Sequence, residues 1–144
     1  MNNEKTITIT RKNEKGETEL VDVKMRYCMA SENGFEDITG KPSSVLSATP
    51  IYDEDGNQTG IEPAKATNGD LLALAVACII AAYERNKEKP PLTGSDILYE
   101  CSPADINTLL MTVAELRAEW YKVTDAIDTK DSADSKKGKR GKNR

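Results

Sequence analysis

The stretch from Leu71 to Tyr83 constrains this chain most: thirteen residues pass without a charge. Leu71, Leu72, Leu74, Val76, Cys78, Ile79, Ile80 and Tyr83, with alanines between, place apolar side chains all round a helical axis. Such a helix has to be buried on several sides. Asp70 supplies a side-chain cap and Pro90-Pro91 forbid extension, so the pattern predicts a helix from Leu71 to about Lys87. The run is well short of the ~20 apolar residues that span a bilayer. It therefore predicts the centre of a protein core, and the rest of the chain has to cover it.

With 144 residues there is material for one modest core. Thr6 to Thr10 alternates at period two, as do Val21, Val23, Met25, Tyr27 and Met29, around a charged stretch containing Gly16. This reads as an antiparallel hairpin with one buried and one wet face. Ser31 is the expected N-cap of a short helix to Thr39, ended by Gly40, with Phe35 and Ile38 plugging the core. Residues 47–69 read as an excursion. Pro50-Ile51-Tyr52 and Thr59-Gly60-Ile61 flank Asp-Gly turn chemistry, which predicts a small hairpin flap.

Thr93 or Ser95 starts a further short helix carrying Ile97, Leu98 and Tyr99. Ser102-Pro103-Ala104-Asp105 then opens the last one, with Ile106, Leu109, Leu110, Val113, Leu116 and Trp120 at helical spacing and an end near Val123. Glu115, Arg117 and Glu119 fall outside that stripe. The fold class is α+β: an N-terminal antiparallel β-hairpin packed on a small set of helices, with an inserted β-hairpin flap and a disordered C-terminal tail. Residues 1–123 form the single domain, and residues 124–144 the tail.

Charge divides at the same point. Residues 1–123 carry 13 basic and 20 acidic side chains, whereas residues 124–144 carry 7 and 4. Six bases in the last ten residues would suit phosphate neutralisation. The tail has no interleaved aromatics and the body is acidic, so nucleic acid is not the favoured partner.

Chemistry is sparse. The chain has no histidine, which removes Ser-His-Asp and Cys-His machinery and histidine-bearing zinc sites. Cys28, Cys78 and Cys101 are odd in number and lack any CxxC spacing, so they read as free thiols in a reducing compartment. Asp53, Asp55 and Asn57 imitate the start of a calcium loop, but Gln58 stands where glycine is required and Ala64 where the bidentate glutamate belongs. Glu115 and Glu119 lie one turn apart with no third ligand. Neither phosphate-loop nor dinucleotide glycine motifs occur. The first residues are polar and form no signal-peptide core. The expectation is a soluble intracellular protein that is not an enzyme, with no cofactor and no metal.

Met25-Arg26-Tyr27-Cys28 leads to Phe35-Glu36-Asp37-Ile38-Thr39-Gly40-Lys41, then to Asp70-Leu71-Leu72-Ala73-Leu74, Pro91-Leu92-Thr93 with Asp96, and Leu116 to Trp120. In this layout, over residues 20–123, the chain resembles the tail assembly chaperones of long-tailed bacteriophages and related prophages. The excursion at residues 47–69 departs from compact members of that family. The resemblance implies a non-enzymatic role in the cytoplasm of a bacterial host. The partners it implies are a long helical tape measure protein and tail tube subunits, and the chaperone would be absent from the finished particle. A groove for an amphipathic helix is expected around Leu74, Ile80, Tyr83, Leu116 and Trp120. The alternatives are a structural tail component polymerising through a strand edge, or an adaptor for nucleic acid or anionic surfaces acting through the tail.

Overall fold

The computed structural model describes the backbone of residues 3–140 and the side chains of residues 3–122. It is an α+β fold, in the order β1 (Glu4–Lys12), β2 (Thr18–Arg26), α1 (Met29–Thr39), a 3₁₀ turn (Ser43–Leu46), β3 (Thr49–Tyr52), β4 (Gln58–Glu62), α2 (Asn68–Glu84), α3 (Gly94–Glu100) and α4 (Pro103–Arg140). Strands β1 and β2 pair antiparallel, with Ile7 opposite Val23 and Ile9 opposite Val21. Alternation sends Ile9, Val23 and Met25 into the core and leaves Thr6, Thr8 and Asp22 in solvent. The turn closes on Asn13, whose side-chain oxygen accepts from the Lys15 and Glu17 backbone N–H groups, while Gly16 takes φ 78°.

Helix α2 lies in the centre, packed against α1, β2 and α4. Leu74, Ala75, Cys78, Ile79, Ala82 and Tyr83 are buried on it, among Phe35, Ile97, Leu109, Val113 and Leu116 from the other elements. The all-round apolar surface is thus largely used, although Ile80 remains 40% exposed. Gly34 lets α1 approach α2 closely, because a Cβ there would stand 3.1 Å from that of Ala77.

Helix starts differ from expectation by up to one turn. Helix α1 begins at Met29 with Cys28 as its cap residue, not at Glu32 behind Ser31. Ser31 is a buried N3 residue; its Oγ donates to the Arg26 carbonyl (2.6 Å) and accepts from the Cys28 N–H (3.1 Å). The strand pattern ends at Arg26, so Met29 starts a helix and is exposed. The cap of α2 is Thr67, and Asp70 sits at N3, where each side chain accepts from the other's backbone N–H. Asp70 gives up the cap because Lys41 and Thr67 together satisfy its carboxylate inside the first turn. Thr93, not Ser95, caps α3 by the same reciprocal pair with Asp96.

Ser102 accepts from the Asp105 N–H at the start of α4, as its spacing predicts. Phe35 is buried, but Ile38 is half exposed and plugs nothing. Leu98 and Tyr99 point into solvent, and Ile97 alone of that trio is core. Helix α4 continues past the expected end near Val123 to Arg140; residues 124–137 contain neither proline nor glycine to break the run. The side chains of the expected disordered tail, residues 124–144, lie outside the described residues.

Strands β3 and β4 form a separate antiparallel ribbon, paired with each other and not with β1–β2. Its loop repeats the chemistry of the first hairpin: Asp53 Oδ1 accepts from the Asp55 and Asn57 N–H groups, and Gly56 takes φ 83°. Those acceptor contacts account for Asp53 as a turn former.

Candidate functional site

Helix α4 turns Leu109, Val113, Leu116 and Trp120 toward the core at spacings of four, three and four residues. Beside that stripe stand Ala114 and Ala118, one turn apart and exposed. An alanine side chain ends at Cβ, so these two positions leave space beside the packed contact between α4 and α2. The result is an open cavity of ≈ 190 Å³ lined by Leu46, Leu71, Leu74, Val113, Ala114, Arg117 and Ala118. Leu46 reaches the lining from the 3₁₀ turn. The lining is apolar apart from one guanidinium.

Arg117 is the polar component. Its Cζ lies 4.7 Å from the Tyr121 ring centroid, and Nη2 donates to Ser47 Oγ at 2.6 Å. Its Nε is buried with no acceptor among the described residues. Tyr121 donates in turn to Glu32 Oε2 (2.6 Å), which also accepts from Tyr27 (2.8 Å). Glu32 is only 9% exposed, so two phenols anchor a carboxylate that water scarcely reaches. Burial, then the neighbouring Glu32 carboxylate, pushes both phenol pKa values above the ordinary tyrosine value. These bonds tie α4 to α1 and β2. Asn3 adds a further tie, its Nδ2 donating to the Leu116 carbonyl at 2.8 Å.

The five residues expected at a docking surface are dispersed. Leu74 is on the groove floor and fully buried. Leu116 is fully buried in the core and is not among the residues that line the groove. Tyr83 lies at the far end of α2, where its hydroxyl accepts from the Lys24 N–H. Ile80 is exposed away from the groove lining, and Trp120 is half-buried with its ring 6.2 Å from that of Tyr27. The residues that shape the groove without having been expected there are Ala114, Ala118 and Arg117. Their signal was a pair of small residues at i and i+4 beside the apolar stripe, which spacing alone does not distinguish from core.

The other chemical candidates resolve differently. Glu115 and Glu119 share Lys5 Nζ at 2.9 and 3.2 Å, which raises the lysine pKa. Cys78 is fully buried and its thiol is pushed up to about 12 by burial. The Cys101 thiol is also raised, first by burial and then by Asp105, Asp96 and Glu100, so the nearby helix terminus does not make it a thiolate. Among the described residues, no group of three or more potential metal ligands comes together and no helix is long and apolar enough to cross a membrane. The chain matches no protein-family model, no curated protein and no solved structure.

Proposed function

We propose that this protein is a non-enzymatic assembly chaperone of the phage-tail type, which shields the apolar face of a helical client in the groove between α2 and α4. The observation that carries this reading is the groove itself: an apolar lining with buried Leu74 at its floor and two exposed alanines at its edge, left open beside a well-packed core. A cavity of this size takes one large apolar side chain from the buried face of an amphipathic helix. The acidic body keeps the loaded protein soluble, and the Arg117 guanidinium in the groove lining supplies a positive charge for a client carboxylate. The tape measure protein is the client, tail tube subunits are the second partner, and the work is done in the bacterial cytoplasm before the particle is complete.

Co-expression with a tape measure protein tests this. The expected result is a soluble complex that co-purifies, lost when Ala118 is replaced by tryptophan to fill the groove. A tape measure that stays insoluble, or co-purifies equally with the filled groove, refutes the reading.

A further inference from the structure

The β3–β4 ribbon projects as an arm with little support. Ile51, Tyr52 and Ile61 on it are 44%, 59% and 62% exposed. A two-stranded ribbon alone is marginal in water, and three large apolar side chains gathered on one exceed ordinary surface scatter. Pro50 pairs with Ile61 and Tyr52 with Gln58, the register shifting between Ile51 and Tyr52. Directly after Tyr52 the chain runs Asp53-Glu54-Asp55, all exposed. The arm therefore presents an aromatic side chain followed by three carboxylates.

The groove presents the complement: an apolar cavity with the Arg117 guanidinium on its wall, whose buried Nε lacks an acceptor among the described residues. An apolar cavity of ~150 Å³ is enough for a benzene ring, so ≈ 190 Å³ admits a phenol. Arm and groove also adjoin. Arg117 donates to Ser47, two residues before β3 begins. Each copy thus carries both complementary surfaces, as a two-fold exchange requires.

We propose that a second copy of this chain occupies the groove: the arm of each protomer seats Tyr52 between α2 and α4 of the other, with its acidic turn against Arg117. The exchange stands on the arm and groove alone and does not depend on the tail-assembly reading. Where a helical client exists, it competes with the arm, so the dimer is the closed, self-protected form.

The test replaces Tyr52 by the photo-crosslinking residue azidophenylalanine, close to tyrosine in size, in the full chain, mixed from isotopically light and heavy preparations. Irradiation is expected to join light to heavy chains, with the adduct on residues 113–118. Sedimentation equilibrium should show a dimer. Tyr52→Ser, and separately Ala118→Trp, should raise its dissociation constant by about tenfold or more, the usual effect of losing a buried aromatic anchor. Far-UV circular dichroism checks that each variant keeps its helices. A chain that stays monomeric up to its solubility limit overturns the proposal. So do crosslinks confined within one chain, or a dimer that both folded variants leave intact.

Discussion

Filling the groove should stabilise the protein while disabling it. Ala118→Leu adds three carbons over a cavity of ≈ 190 Å³ whose other walls are Leu46, Leu71, Leu74 and Val113. At ~0.8 kcal/mol per buried methylene the transfer gain is about 2.4 kcal/mol. Restricting the new leucine costs ~0.5–1 kcal/mol in rotamer entropy. Alanine and leucine are close in helix propensity, so the backbone contributes little. The net expectation is about 1.5 kcal/mol, or a Tm rise of roughly 3–6 °C for a chain of this size. Urea unfolding followed by circular dichroism gives the free energy, and a thermal scan of the same sample gives Tm. Client capture and dimerisation are read in parallel and should both fall. Destabilisation would show that the walls close over this space in solution and that no open groove exists. Stabilisation with undiminished binding would place the binding surface elsewhere, which is equally fatal to the functional reading. The combined outcome, more stable and less active, is the common consequence of optimising a binding surface for packing.

Three further outcomes follow from the packing. Glu32→Leu should cost about 2–3 kcal/mol in urea unfolding, because it orphans the Tyr27 and Tyr121 hydroxyls, whereas Glu32→Gln keeps an acceptor and should cost about 1 kcal/mol. Gly34→Val should cost about 1–3 kcal/mol, measured the same way, since its Cβ alone already presses on Ala77 at 3.1 Å. The Thr67 backbone N–H, then the Lys41 ammonium, holds the Asp70 carboxyl below its usual pKa. That stabilisation is fully present above the ordinary carboxylate value of about 3.9 and is lost as pH falls through the lower folded value. A urea midpoint measured against pH should therefore fall less steeply in acid for Asp70→Asn than for the parent; parallel curves would refute the linkage.

Much of the architecture follows from local pattern. The two hairpins, the Asn/Asp–Gly turns, the Gly40 stop and the uncharged central helix are each dictated within a few residues, by period, φ preference or side-chain reach. Helix starts were less legible: Ser31 and Asp70 both carry capping chemistry, and only the packed structure shows them one turn inside, bonded to Arg26 and Lys41. The residues that line the groove were the least legible. Tyr83 and Leu116 have the same hydrophobicity whether they face a partner or the protein's own core, and here they face the core. Ala114 and Ala118, too small to register as an apolar signal, shape the groove instead.

By itself, then, the sequence determined that this is an α+β chain built round one apolar helix, with no histidine chemistry and an exposed acidic arm. Those properties reside in composition and in periodicities a few residues long. Only the tertiary structure decided which apolar surface stays open. That depends on how far α4 stands from α2, a distance governed by the side chains that meet between them, and two alanines leave the gap unfilled.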